Sequence, residues 1–285
     1  MLEMARLADS GLYQPGIGGD SFNTAVYLAR AGLSVNYVSR LGCDVFSDTA
    51  ITQMQAEGIN STYVERVPGE NIGLYAISND EHGEREFSYW RSSSPVRQLF
   101  DQPYFLTDDI DAFYFTGITL AVTHSGRKNF LALLVNLRSR GVTIIFDPNY
   151  RALLWDDLEQ AQSSYRAVLP LCDLILPTID DDAALWGVTN IEHCKRFYQD
   201  FGIAEIVIKG PDLIAHAFAP EGHVTLAAKP VAALDTTGAG DSFNAGYLAE
   251  RLTGGSLMSS LKCAQQLSAV VVQHNGAITP LSEIN

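Results

Sequence analysis

The stretch DTTGAGDSFNAGYL, Asp235 to Leu248, sets small residues and bare backbone directly before a carboxylate, Asp241. Phe243, Tyr247 and Leu248 then recur at the spacing of one buried helical face, so a helix is expected to begin near Asp241 or Ser242. Gly238, Ala239 and Gly240 lie just ahead of it and allow a ligand to approach the main chain closely. A helix start offers N–H donors that have no partner inside the helix, at the positive end of the macrodipole. Together these make an anion site that needs no lysine, and phosphate is its natural occupant. The turn is neither a G-x-x-x-x-G-K-[ST] loop nor a G-x-G-x-x-G fingerprint, because Phe243 stands where the last glycine would be. The feature that suggests chemistry is the acid beside the donors. A carboxylate there repels a phosphate that is merely stored. It can, however, accept the proton of an attacking hydroxyl while the amides hold a transferring phosphoryl group. The alternative is a plain N-cap role for Asp241.

Such a site works against an unfavourable background, since the 285-residue chain carries a formal net charge of -14. That balance argues against nucleic acid or an anionic membrane as a general partner, both of which need a basic footprint. At 47% hydrophobic residues the chain can bury a sizeable core. Cys43, Cys172, Cys194 and Cys263 are far apart with no C-x-x-C pair, so reduced, mostly buried structural thiols are expected. The start MLEMARLADSG carries Glu3 early and lacks an apolar core, so no signal peptide is expected. No apolar run approaches the roughly 18 residues of a membrane helix, and a cytoplasmic location is the default. His82 falls in a turn, and His124, His193, His216, His223 and His274 show no metal-ligand spacing.

The elements that must position the turn alternate in period. Residues 21–31 read as a helix capped by Asp20 or Ser21, 34–42 as a strand, and 47–58 as a helix stopping at Gly58. AFYFTG (112–117), VTIIFD (142–147), LILP (174–177) and EIVIKG (205–210) are short apolar strands, with helical stretches at about 124–139 and 192–201. Strand–helix–strand units of this spacing predict a parallel sheet covered by helices. One segment, 72–91, departs from this: two alternating runs around NDEHG predict an antiparallel hairpin, a candidate lid. Arg85, Phe87, Tyr89 and Arg91 share one face of it, and Tyr75 and Ile77 one face of the partner strand. Aromatic faces beside a guanidinium suit a carbohydrate that carries a carboxylate, although ordinary sheet decoration is an equally simple origin. Trp90, Trp155 and Trp186 read as packing residues, and Phe87 with Trp90 forms an apolar hairpin edge that suggests pairing into a homo-oligomer.

DTTGAGDSFNAGYL resembles the C-terminal signature of the ribokinase-like (pfkB) carbohydrate kinases. GIGGDSFNTAVYLARAG (16–32) with YVSRLGCDVFSD (37–48) resembles their N-terminal signature, in the expected order. Within the family, GLYAI (73–77), FSYWR (87–91), FDPNYRALLW (146–155), DDDAALWG (180–187) and GYLAERLTGG (246–255) are most similar to 2-keto-3-deoxygluconate kinases. The resemblance implies an α/β, ribokinase-like three-layer sandwich: one kinase domain over 1–285, with a mostly parallel central sheet and a small β-sheet lid from about 8–20 and 70–92. It implies transfer of the γ-phosphate of ATP, with Mg²⁺, to the terminal hydroxyl of 2-dehydro-3-deoxy-D-gluconate. A kinase of fructose, ribose or 5-dehydro-2-deoxygluconate is the nearest alternative, and a catalytically silent sugar-acid binder a further one.

Carried over by position, Asp241 would be the base, with the main chain of Gly238, Ala239 and Gly240 as the anion hole. Gly18, Gly19 and Asn23 would lie near the sugar, and Tyr75, Tyr89 and Arg91 would reach it from the lid, with Arg91 on the acid group. Asn149 and Arg151 would sit near the ATP phosphates and the substrate, and Lys209, Gly210 and Asp212 on the nucleotide side. Asp147 would help position Asn149 or the metal. The chain departs from the pattern in three places. The family's N-x-x-E motif for magnesium is here Thr178 and Asp181, leaving Asp181 as the metal candidate unless Asp180, Asp181 and Asp182 only enrich a helix start in acid. Pro211 in KGPD removes an N–H. The apolar strand that usually precedes a stretch like MLE is missing, so a residue other than Met1 is expected to start the natural folded unit, or a neighbour to fill the gap.

Overall fold

The computed structural model describes residues 1–6, 11–79 and 85–283. The chain divides into two compact units, Met1–Leu99 and Phe100–Asn285.

The first unit holds β1 (Leu2–Arg6), β2 (Tyr13–Ile17), α1 (Asp20–Arg30), β3 (Ser39–Gly42), α2 (Val45–Ala56), β4 (Val64–Val67), β5 (Leu74–Asn79) and β6 (Arg85–Trp90). Four strands form one sheet in the order β2-β1-β5-β6, and β3 pairs with β4 in a second. The predicted hairpin is present: β5 and β6 are antiparallel, with Tyr75 opposite Tyr89 and Ile77 opposite Phe87. Its tip, including His82, lies outside the described residues. The ladder expected over 34–42 is kept only from Ser39 onward, with Asn36 in an isolated bridge to Asn60. The cap expected from Asp20 or Ser21 does not form: both residues lie inside α1, and the N-cap is Gly19 with no side-chain bond. α2 is capped by Asp44, which accepts from the amides of Phe46, Ser47 and Ile72. Burial raises the Asp44 pKa, but these bonds and the Ser47 hydroxyl outweigh it and hold the carboxyl below its ordinary value.

The second unit holds β7 (Ala112–Thr116), α3 (Gly117–Val122), α4 (Arg127–Ser139), β8 (Thr143–Asp147), α5 (Leu158–Val168), β9 (Leu174–Ile175), α6 (Ile179–Trp186), α7 (Ile191–Gln199), β10 (Glu205–Lys209), β11 (Ile214–Ala219), β12 (Gly222–Ala227), α8 (Ala239–Leu252) and α9 (Leu257–Val271). Its sheet runs β12-β11-β10-β9-β8-β7. β7 to β10 are parallel, as predicted, and Ile144, Ile145, Phe146, Ile175, Val207 and Ile208 are all but inaccessible. Such continuous apolar strands are what a parallel sheet requires. The antiparallel pair β11–β12 was not anticipated; it extends the sheet beyond β10. The helix expected at about 124–139 is present as α4, entered through a tight turn at His124–Gly126, and it is preceded by the additional short helix α3, which Thr116 caps by a capping box straight out of β7.

Trp155 is buried and Trp186 half-buried, with its ring tilted against that of Phe197 at 4.8 Å, as packing residues. Trp90 is not one: it is 61% exposed, on the outermost strand of its sheet. The cysteines are free, but only Cys172 and Cys194 are buried; Cys43 is exposed and Cys263 half-buried. Among the described residues no helix is long and apolar enough to cross a membrane.

Of the three acids at the start of α6, Asp182 is fully buried. Tyr198 of α7 donates to it at 2.8 Å, and the Cys194 thiol at 3.2 Å. Burial is the largest influence on its carboxyl and, with the Asp181 charge, pushes it up to about 7 against the pull of those two donors. The folded state therefore keeps a proton that the unfolded chain releases near pH 4. This group's contribution makes stability fall as pH rises from about 4 to about 7 and then level off. Asp182→Asn stays neutral and keeps the acceptor for Tyr198, so its melting temperature should decline less than that of the wild type over this window. Parallel melting curves in calorimetry would contradict the assignment.

Candidate active site

The turn that leads into α8 is clamped at its base. Asp235 is buried, and its carboxylate accepts from the amides of Thr237 and Gly276, both at 2.7 Å. The amides of Leu234 and Asp235 both donate to Val272 O. Gly238 is the N-cap, in the left-handed region at φ 75°, and offers no side-chain cap. Backbone strain alone would favour glycine there, and crowding adds to it: an added Cβ would lie 2.8 Å from Ala277. The helix thus begins at Ala239, earlier than the apolar periodicity predicted, because small residues carry no periodic signal. Asp241 is its third residue, so the plain N-cap role is excluded. Ala239 N–H closes a turn onto Thr236 O at 3.2 Å, and its carbonyl accepts from Ser268 at 3.0 Å. Gly240 is exposed, and its amide has no hydrogen-bond partner among the described residues. A half-exposed carboxylate follows it immediately.

The other expected residues of this unit lie at the carboxyl ends of parallel strands, where open α/β sheets bind ligands. β8 ends at Asp147 and leads to Asn149, which is buried with an unusual φ of 32°, and to Arg151. β10 ends at Lys209 and leads to Gly210 and Asp212. Lys209 Nζ donates to Asn244 Oδ1 at 3.0 Å and reaches Asp147 Oδ1 at 3.5 Å. Arg151 donates to both oxygens of Asp181, at 3.0 and 3.2 Å. Pro211 costs no bond, since it opens a tight turn closed by Gly210 N–H to Ile214 O at 2.9 Å. Asp212 has φ 56°, also left-handed.

A divalent ion has limited protein support here. Among the described residues no group of three or more His, Cys, Asp or Glu gathers at ligand spacing. Thr178 is the N-cap of α6, and Asp181 is a partly buried carboxylate whose pKa burial raises and Arg151 pulls back down. One such acid fits Mg²⁺, which usually takes one or two carboxylates and completes its shell with water and phosphate.

In the first unit, Tyr75, Tyr89 and Arg91 form one continuous patch. The Tyr75 and Tyr89 rings are 6.1 Å apart, and the Arg91 guanidinium lies 4.0 Å from the Tyr89 ring centre. Tyr75 OH donates to the Glu3 carboxylate. Gly18 is packed against this hydroxyl, which would sit 2.8 Å from an added Cβ, and Asn23 is buried in α1 beyond Gly19. Burial lowers the Arg91 pKa; the Tyr89 and Asp20 charges oppose this and Arg97 reinforces it. Among the described residues Arg91 has no carboxylate partner, so an incoming anion would regain charge pairing for it.

Four residues in these sets were missed by sequence reasoning. Glu3 reads in the sequence only as a charge near the start. Asp235 stood in the motif without a role. Asn244 had a signal, lying three residues beyond Asp241 and so on the same helical face. Tyr114 had none, because its hydroxyl matters only once β7 lies beside β8.

The sequence profile of the pfkB family carbohydrate kinases matches residues 10–284. The 2-dehydro-3-deoxygluconokinase of Escherichia coli strain K12 is 37% identical over 292 residues, covering 97% of this chain and 94% of that protein. Among solved structures, the 2-dehydro-3-deoxygluconokinase of Thermotoga maritima superposes with a TM-score of 0.87 at 21% identity, covering 100% of this chain and 94% of that one. A fructokinase of Vibrio cholerae O395, in its fructose, ADP and calcium ion bound form, gives 0.84 at 24% identity, with 98% and 92% covered. These two likenesses establish the ribokinase-like fold.

Gly238 and Gly240 should respond differently to one methyl group. Gly238→Ala meets both the positive φ and Ala277 and should cost about 1–3 kcal/mol in urea unfolding. Gly240→Ala has nothing within 4 Å of the new atom and should leave the midpoint unchanged. Equal midpoints for the two variants would show that the turn is not held as described.

Proposed function

Because the chain belongs to the pfkB family of carbohydrate kinases, we propose that it phosphorylates 2-dehydro-3-deoxy-D-gluconate at its terminal hydroxyl, using ATP and giving the 6-phosphate. The observation that carries the chemistry is the start of α8: a Gly240 amide with no hydrogen-bond partner among the described residues, directly before a carboxylate in the first turn that is not the N-cap. The observation that favours a sugar acid is Arg91, partly desolvated against Tyr89 and, among the described residues, without a carboxylate of its own.

In this mechanism Asp241 accepts the proton of the terminal hydroxyl as that oxygen attacks the γ-phosphorus in line. The main chain of Gly238 and Gly240 takes up charge on the transferring group, where one preorganised donor is worth about 3 kcal/mol, while the Ala239 N–H closes the turn onto Thr236 O. Lys209 and Gly210, with Asn149, Arg151 and Asp212, serve the nucleotide, whose phosphates would otherwise meet an acidic chain. Mg²⁺, held through Asp181 and the phosphates, would neutralise charge on the nucleotide when bound. Tyr75 and Tyr89 cover the carbon skeleton, Arg91 grips the carboxylate, and Gly18, Gly19 and Asn23 complete the sugar's surroundings. A cytoplasmic enzyme is the matching setting. The exposed Trp90 on the outer strand β6 makes that edge the natural surface for pairing with a second copy.

Asp241→Asn should lower kcat by about 100-fold or more while nucleotide binding persists, as measured by ADP release and by titration with a nucleotide analogue. A variant with normal turnover would remove Asp241 from the chemistry. Arg91→Met should lower kcat/KM for the sugar acid by about 10- to 100-fold, chiefly through KM, and leave any turnover of neutral sugars as it was. Unchanged turnover of the preferred substrate in this variant would favour a neutral-sugar kinase instead, and an equal loss on fructose, ribose and sugar acids would remove Arg91 from carboxylate recognition.

A further inference from the structure

Asn244 is completely buried inside α8, and its amide points at other elements rather than at its own helix. Oδ1 accepts from Lys209 Nζ at 3.0 Å. Nδ2 donates to Asp147 Oδ2 at 2.8 Å and to the Tyr114 hydroxyl at 3.2 Å. Tyr114 in turn donates to Asp147 Oδ2 at 3.4 Å, and Lys209 reaches Asp147 Oδ1 at 3.5 Å. One planar amide, with an acceptor on one side and two donors on the other, therefore ties α8 to β7, β8 and β10 at once. Two of its partners are ionisable groups with little access to water: Asp147 is 3% exposed overall, and the Lys209 side chain 13%. A buried polar network of this kind is stable only while every member keeps its partner. Turning or sliding α8 would break the Asn244 bonds together and leave Lys209 and Asp147 undersatisfied. The helix is thereby fixed in both rotation and axial position.

Asp241 lies three residues earlier on the same face. The position of the helix tip, with the Gly240 amide and the Asp241 carboxylate, thus follows from where Asn244 is held. We infer that Asn244 is a positioning residue for phosphoryl transfer, holding the first turn of α8 in catalytic register through Asp147, Lys209 and Tyr114. This rests on the role given to Asp241.

The test uses the full chain and compares Asn244→Ala, Asn244→Asp and Tyr114→Phe with Asp241→Asn by coupled ADP release, alongside melting temperatures. A misplacement of about 1 Å at a reacting group can cost about 100-fold, so Asn244→Ala should lose kcat on that scale with KM for ATP and sugar acid nearly unchanged. Tyr114→Phe deletes one hydroxyl from the network and should lose several-fold in kcat with both KM values unchanged. Asn244→Asp keeps the acceptor for Lys209 but sets a carboxylate against Asp147, and two such groups share a proton as pH falls. The protonated acid restores the missing donor, so its kcat relative to wild type should rise as pH falls. A purely structural role would lower the melting temperatures without that pH dependence. If Asn244→Ala does not fold, Tyr114→Phe and Asn244→Asp decide the matter. Normal kcat in the folded Asn244 and Tyr114 variants, with Asp241→Asn inactive, would overturn the inference and leave the Asp241 role standing. Normal turnover in Asp241→Asn would sink both.

Discussion

A helix that starts without a side-chain cap has to satisfy its first amides some other way, and the rest of this site follows from that constraint. α8 opens on Gly238, whose left-handed backbone ends the preceding turn and brings no oxygen to the helix tip. In most proteins a serine or aspartate at that place would bond back to the second or third amide. Here the acid just before the turn, Asp235, is spent on the amides of Thr237 and Gly276, below the tip. The Gly240 amide has no partner among the described residues, and it lies at the positive end of the helix dipole.

A donor facing outward has chemical use only if it stays put. The second unit achieves this with few groups. The base of the turn is bonded to Val272 and Gly276 after α9, Ser268 of α9 holds the Ala239 carbonyl, and the Asn244 network fixes the other side of the helix against the sheet. The sheet supplies its part through strand ends: Asp147 and Lys209 are the last residues of β8 and β10. The parallel interior, with residues such as Ile144, Phe146 and Ile208 inaccessible, gives those ends a rigid mount.

The acidic balance of the chain makes the few cations informative. A protein of net charge -14 that handles anions needs its positive groups placed and partly desolvated, where they act at short range. Lys209 is held within its network, Arg151 is poised on Asp181, and Arg91 lies on an aromatic ring. Each is tied to a neighbour in a way that limits its freedom, so an anion bound there, as the proposed function requires, would meet a side chain that is already partly ordered.

What the sequence determined on its own was local. The small residues before Asp241, the alternation on both sides of the hairpin and the apolar runs of β7, β8, β9 and β10 depend on residues close together in the chain. Their order is visible in one dimension, and the pfkB signatures at both ends agreed with it. Element ends were less legible: the start of α8 at Ala239 and the cap of α1 at Gly19 depend on glycine geometry, which leaves no hydrophobic trace. The β11–β12 pair also escaped, since alanines and histidines give it weak alternation. Only the tertiary structure decided the contacts that join distant segments: Glu3 with Tyr75, Asp182 with Tyr198, and Asn244 with Tyr114, Asp147 and Lys209. A hydrogen bond acts over about 3 Å and is indifferent to how much chain separates its partners, so no spacing rule could have announced them.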